Sequence, residues 1–306
     1  MKKIAVFLIT ICLIACCVAP GFAEAQYKIG YAVSDMTNPI WAAMCTEFES
    51  YGAEKGFDVT VVDCQNDSGK QVTQIENFIT SGCDVICIAA ADENALGAVI
   101  DQAHEAGIYV VAYTQSLPNA DAFYTVDNYT LGYEIGKAAA DWANEHFDGK
   151  CEAALLSMEY VKAGVERGQG ERDGLLQNSQ CELVFEKDAI TAAPAMDATE
   201  TMLQAHPDVK IIMCIGDGGA IGAAEAVKAS GIDYSDFGIF SADATDEALT
   251  MMLNGDPIRV TMDLGGGVEH GRKMIDIALE LLNGGEGGEY YMPINRVDIE
   301  NANDYL

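Results

Sequence analysis

KIGYAVSDMTNPIW, residues 28–41, joins an unbroken apolar run to a helix-start signal. Residues 29–33 show no alternation of polar and apolar side chains, which is the pattern of a strand buried on both faces. Asn38 stands where an N-cap is expected, ahead of Pro39 at the first helical position. Trp41, one of 2 tryptophans, falls in the first helical turn at the carboxyl end of that strand.

The same unit recurs along the chain. DVTVVDC (58–64), CDVICIAA (83–90) and IYVVAY (108–113) are each followed by a turn or helix, and a short strand near Phe123–Val126 precedes a helix over Tyr129–Phe147 capped by Asp127-Asn128. A second series runs through CEAALLS (151–157), CELVFEK (181–187), KIIMCIG (210–216), FGIFSA (237–242) and IRVTMDL (258–264). Helices are expected between them, the later ones over Ala220–Ser230, Thr245–Leu253 and Glu269–Leu282. Repeated strand–helix units of this length predict an α/β protein with parallel sheets covered on both sides, and two successive series predict two similar domains. In such sheets ligands bind beyond the carboxyl ends of the strands. That rule singles out residues 34–41, 89–94, 114–119, 215–219, 241–246 and 263–267.

A length of 306 residues suits two domains with full cores, and a composition 50% hydrophobic and 21% charged is globular. The net charge of −31 repels phosphate backbones and anionic lipid, so nucleic acid is excluded as a partner. Residues 1–25 read as an export signal: MKK is basic, Ile4–Ala23 is uncharged, and Ala23-Glu24-Ala25 follows Pro20-Gly21 as a cleavage pattern. Retention as a membrane anchor competes with removal, because the run is long enough to span a bilayer. Leu13-Ile14-Ala15-Cys16 also resembles a lipobox, which would leave Cys16 acylated. Each reading places the folded part outside the cytoplasm, periplasmic or extracellular.

Of 10 cysteines, Cys12, Cys16 and Cys17 belong to the signal. Most of the others lie in apolar strands and read as small buried hydrophobes. Cys151 and Cys181 open two successive strands and could form one bridge. No CxxC occurs, and no metal or cofactor is expected. The histidines His104, His146, His206 and His270 fall within or at the end of helices and read as surface or capping residues. Gly216-Asp217-Gly218-Gly219 follows a strand, but the third glycine of a dinucleotide fingerprint falls at Ile221, and no P-loop lysine follows. Nothing in the chain asks for catalysis, and an enzyme is not expected.

Taken together, SDMTNPIW (34–41), DCQND (63–67), SGCDVICIAAADENAL (81–96), VDNYTLGYEIG (126–136), ERGQG (166–170), AHPDV (205–209), GDGGAIGA (216–223) and SADATDEAL (241–249) resemble the periplasmic sugar-binding proteins of ABC importers, the group similar to ribose-binding protein. The resemblance implies two Rossmann-like, doubly wound parallel-sheet lobes joined by a three-crossover hinge, with the ligand cleft between them. The crossovers would fall near Asp127–Asn128, Asp263–Leu264 and Pro293. The N-terminal lobe would comprise 26–128 plus 264–292, and the C-terminal lobe 129–263 plus 293–306. It also implies a monomer that meets the transmembrane subunits of an ABC permease. The alternative is a sensing module reporting to a membrane histidine kinase or chemoreceptor.

Carried over by motif, Ser34 and Asn38 match positions that hydrogen-bond sugar hydroxyls, Trp41 an aromatic that packs on the sugar ring, Arg167 the arginine of the ERG turn, and Asp243 an acid of the second lobe. An indole face suits the C–H side of a sugar, and guanidinium with carboxylate suits its hydroxyl edge. Other positions depart. Thr114-Gln115 stand for an Asp-Arg pair, Ala89 and Gly216 for asparagines, and Ile40 and Ile190 for aromatics, while the expected glutamine falls among Asp263-Leu264-Gly265. These changes imply a cleft less polar and roomier in its first lobe, suited to a small neutral sugar or polyol other than ribose. Simpler readings stand beside these. Trp41 shares a helical stripe with Cys45 and Phe48 and could be core, Asn38 and Asp243 could be caps, and Arg167 could be a surface residue paired with one of many carboxylates.

Overall fold

Apolar runs without alternation become the inner strands of two sheets in the computed structural model, which describes residues 26–37, 39–115 and 117–306. The first series alternates β1 (Tyr27–Val33), α1 (Pro39–Glu54), β2 (Phe57–Asp63), α2 (Ser68–Ser81), β3 (Val85–Ile88), α3 (Gly97–Glu105), β4 (Tyr109–Tyr113) and β5 (Ala122–Thr125). The second runs through α4 (Asn128–Phe147), β6 (Glu152–Ser157), α5 (Lys162–Asn178), β7 (Glu182–Asp188), α6 (Ala192–Ala205), β8 (Val209–Cys214), α7 (Asp217–Ala229), β9 (Gly238–Ala242), α8 (Asp246–Leu253) and β10 (Ile258–Asp263). Then come α9 (Gly267–Leu282), β11 (Gly288–Tyr291) and β12 (Asn295–Asp298).

One sheet has the order β11-β5-β4-β3-β1-β2 and the other β12-β10-β9-β8-β6-β7. All neighbours pair in parallel except β12, which runs antiparallel to β10. The chain therefore passes between the sheets after β5, after β10 and between β11 and β12, near the three positions expected. All four residues of β3 and all five of β9 are buried, whereas the edge strand β7 is half exposed. A fully buried Ile or Phe in such a strand contributes roughly 1.5–3 kcal/mol, so the central strands anchor each lobe. The export signal, Cys16 and Asn38 lie outside the described residues.

Helix starts follow the expected chemistry at Asp67 and Asp127, and several others are shifted. Asp67 Oδ1 accepts the Lys70 N–H at 3.0 Å, and Asp127 Oδ1 accepts the Thr130 N–H at 3.0 Å. Helix α7 begins at Asp217 rather than Ala220, because Gly218 and Gly219 are helical where side chains would crowd Ile190 and Ala189 carbonyls at 2.8 and 3.0 Å. Helix α9 begins at Gly267 rather than Glu269 for the same reason, a β-carbon at 267 lying 2.3 Å from the Ile40 carbonyl. His270 is a correction: it is buried on α9, and its Nδ1 lies 3.0 Å from the Tyr124 hydroxyl. Its helical spacing alone does not show that α9 turns this face onto β5.

Helices α4 and α5 meet backbone to backbone. A β-carbon at Gly132 or Gly136 would lie 1.9 or 2.1 Å from the carbonyl of Arg167 or Glu171, and one at Gly170 or Gly174 would lie 2.1 or 2.2 Å from the carbonyl of Tyr129 or Tyr133. Glycine at four-residue spacing on both helices is what permits this approach. The contact fixes α5 against the helix that begins at Asn128. Gly136→Ala is expected to lower stability by about 2 kcal/mol in a urea titration, since both backbones must separate. Stability equal to that of the parent protein would show that the helices slide freely.

Candidate functional site

The carboxyl ends of both sheets converge where the chain crosses between them. Arg167, in the second turn of α5, is held there by three hydrogen bonds. Its Nε and Nη2 donate to Asn128 Oδ1 at 3.2 and 2.8 Å, and Nη1 donates to the Ile215 carbonyl at 2.6 Å. A guanidinium has five N–H groups, so two remain beyond these three among the described residues. Burial pulls Arg167 below its ordinary value, while Asp243 and Glu171 pull it back up. Asn128 was legible only as part of a helix start; its role as the seat of Arg167 comes from the meeting of α4 and α5.

Asp243 follows β9 with φ 104°, and Ala244 with φ 45°. Non-glycine residues there cost roughly 1–3 kcal/mol each, so surrounding contacts must hold the turn. Asp217 supplies them. Fully buried at the start of α7, it accepts Ser241 Oγ at 2.6 Å and Thr261 Oγ1 at 2.8 Å on one oxygen, and the Thr245 N–H at 2.7 Å and Oγ1 at 3.0 Å on the other. The Asp243 carboxylate opens to solvent on one side but is otherwise hemmed in by protein. Desolvation by that surrounding protein raises it from its ordinary value against the pull of Arg167. A β-carbon at Gly216 would lie 2.7 Å from Asp243 Oδ2. The carboxylate thus fills the space that an asparagine at 216 would need. This compensation joins two positions 27 apart in sequence and could not be read from either.

On the first lobe, Trp41 is half buried and meets Tyr113 edge-on, the ring centres 6.2 Å apart at 78°. Tyr113 continues into Tyr124 and His270, each 5.9 Å away. Desolvation raises both tyrosines and lowers His270, so the ladder is uncharged. Cys45 and Phe48, on the same helical stripe, are fully buried, and Trp41 packs at the rim of that core. Thr114 has φ 64°, and its carbonyl accepts Thr125 Oγ1 at 3.0 Å. Thr114 and Gln115 line a crevice of about 790 Å³ with Asn128 at the crossing, with Val161 just before α5, and with Lys162 and Glu166 on it. Its walls come from both lobes, and its size suits a small ligand. Trp41, Arg167 and Asp243 are not among the residues that line it.

The remaining candidates scatter. Ser34 is buried, its carbonyl accepting the Asn66 N–H at 2.7 Å. Ala89 is fully buried, and its carbonyl accepts Gln71 Nε2 at 2.8 Å. Gln71, unmarked by any motif, also donates to the Ala32 carbonyl at 3.2 Å and accepts the Ala91 N–H at 2.9 Å, tying together the ends of β1 and β3. Ile40 is exposed and Ile190 half buried. Asp263 accepts Asn295 Nδ2 at 3.1 Å, which binds the second crossing to the third. The structure brings Arg167, Gly216 and Asp243 together, and Trp41 next to Tyr113, the last residue of β4, which Thr114 and Gln115 follow. The first group offers a guanidinium and a carboxylate, and the second an aromatic face.

Comparison with known proteins bears on the family and the fold. A family described as "Periplasmic binding protein domain" matches residues 29–286. The ribose import binding protein RbsB of Bacillus subtilis is 29% identical over 211 residues, 68% of this chain and 68% of its own. Among solved structures, an ABC transporter solute-binding protein of Bacillus halodurans with bound myo-inositol superposes with a TM-score of 0.70 at 22% identity, covering 92% of this chain and 98% of that one. A periplasmic solute-binding protein of Actinobacillus succinogenes with bound D-allose does so with a TM-score of 0.74 at 22% identity, covering 92% and 100%. At these identities the structural likeness establishes the two-lobed fold.

Proposed function

The chain belongs to the periplasmic binding protein family, and from that membership we propose that it captures a small neutral sugar or polyol outside the cytoplasm and delivers it to an ABC importer. Members of the family are binding proteins of the periplasm rather than enzymes, and those similar to this chain bind small sugars and work with ABC transporters. The observation that carries the reading is the Arg167–Asn128–Asp243 constellation at the carboxyl ends of the second sheet. The lobes, 26–128 with 264–292 and 129–263 with 293–306, would close over the ligand and present the permease with a surface absent from the open form. Ser34, Asn38, Trp41, Thr114 and Gln115 belong to the first wall in this reading, and Arg167, Gly216 and Asp243 to the second. Ile40, Ala89, Ile190 and Asp263 shape it through the backbone or the rim. An acceptor-only carboxylate beside Gly216, in place of an amide, favours a ligand that offers a hydroxyl proton there. Export by residues 1–25, with or without acylation of Cys16, and action as a monomer complete the proposal.

A thermal-shift screen with pentoses, hexoses, cyclitols and deoxy sugars tests it. A ligand at a hundred times its Kd stabilises by about 2.7 kcal/mol, which such a screen resolves. Trp41→Ala should erase the shift while leaving the unliganded melt in place. If no carbohydrate or polyol raises the melting temperature, the reading fails. If Trp41→Ala unfolds the protein, Trp41 is core rather than wall.

A further inference from the structure

Cys151 and Cys181 stand immediately before β6 and β7, whose register pairs Glu152 with Glu182. The Glu182 N–H donates to the Cys151 carbonyl at 3.0 Å, so the two cysteines are side by side on adjacent parallel strands. Neighbouring strands lie about 4.8 Å apart, inside the Cα separation that a disulfide spans. The two Sγ atoms are 3.4 Å apart. Cys181 is buried, whereas Cys151 is partly exposed and lines a surface pocket of about 420 Å³ with Lys150, Gln180 and Lys210. Cys151 is thus the residue of the pair that a solute in the pocket meets. Cys45, Cys64, Cys83, Cys87 and Cys214 are all buried.

We propose that Cys151 and Cys181 are a modification site, joined into an intrachain disulfide by exchange with a small organic disulfide that enters the pocket beside Cys151. The Cys151 thiolate attacks one sulfur of the donor, whose other sulfur leaves as a thiolate and takes up a proton. Cys181 then attacks Cys151 Sγ, forming the intrachain bond and expelling the donor's second thiol. Two protein thiols lose two electrons and two protons, and the donor disulfide becomes two thiols. Hydrogen bonding between the two thiols raises Cys151 and lowers Cys181, so Cys181 can take up the Cys151 proton as Cys151 attacks the donor. A compartment outside the cytoplasm, where this family acts, lets such a bond persist. The bridge closes a segment of 30 positions that contains α5 and Arg167. It lies at the amino ends of the strands, away from the constellation at their carboxyl ends, so it acts on stability rather than recognition.

The test incubates the full chain with oxidised glutathione and follows intact mass, peptide map and melting temperature. Expected are the loss of two hydrogens, one cross-linked peptide pair containing 151 and 181, and a rise in melting temperature of about 6 °C reversed by dithiothreitol. Cys181→Ser should stop at the mixed disulfide on Cys151. Differential alkylation in denaturant reads the same bond in the unsubstituted chain, so a poorly folding variant does not stop the test. Unchanged mass, a lasting glutathione adduct on the unsubstituted chain, or a bridge between another pair overturns the proposal. None of these readouts depends on which sugar is bound.

Discussion

Arg167→Ala is expected to weaken binding of the sugar or polyol found by thermal shift by roughly 150-fold, measured by isothermal titration. Two N–H groups of the guanidinium remain beyond its bonds to Asn128 and the Ile215 carbonyl. Charge-assisted hydrogen bonds from such donors are worth roughly 1.5–3 kcal/mol each, and about 3 kcal/mol in total gives that factor. Arg167→Lys should recover little of it. A lysine keeps the charge but loses the planar fork that Asn128 Oδ1 grips through two nitrogens. The unliganded melt separates binding from folding, since removing a half-buried cation also relieves its desolvation. Unchanged affinity in Arg167→Ala would return the residue to a structural role and move the site away from it, to the crevice lined by Thr114 and Gln115.

Glu171→Gln is expected to flatten the pH dependence of stability between pH 5 and pH 8 by about 3 kcal/mol. Glu171 lies one turn beyond Arg167, fully buried, and neither carboxyl oxygen has a hydrogen-bond partner among the described residues. Burial pushes it from 4.5 up to about 8, with Arg167 and Arg172 pulling down and Glu159 and Glu186 pushing up. The folded value exceeds the unfolded one, so between them the native state binds more protons than the unfolded state. Stability is therefore fully present below about pH 4.5 and is lost as pH rises through about 8. Holding the proton across one pH unit is worth about 1.4 kcal/mol, and most of the gap is crossed in that window. Urea titrations of both proteins at several pH values decide the matter. Parallel curves would mean that Glu171 has found a partner or stays ionised.

Both effects arise on α5, and the sequence prepared for them unevenly. ERGQG marked Arg167, and SADATDEAL marked Asp243, through their resemblance to family motifs rather than through any local physical signature. Strand positions were legible from 83–88 and 211–215 because burial on both faces removes polar residues from the run itself, a local signature. The glycines at 132, 136, 170 and 174 stood in plain view, yet their spacing on either helix says nothing about which helix it meets. The burial of His270, the service of Asp217 to the 243–245 turn and the link made by Gln71 were likewise unmarked.

The sequence by itself determined the parallel α/β architecture, the two series of strands and which turns lie at their carboxyl ends. Those follow from periodicity and composition, which report the burial of a residue through its immediate neighbours. Only the tertiary structure decided that Asn128 seats Arg167, that Asp243 fills the space beside Gly216, and that the Cys151 and Cys181 sulfurs lie 3.4 Å apart. Each joins groups 27 to 39 positions apart, brought together by a helix crossing or by strand register. Hydrogen bonds and close contacts depend on a few tenths of an ångström, and that precision is set by the packing of whole elements rather than by any stretch of chain.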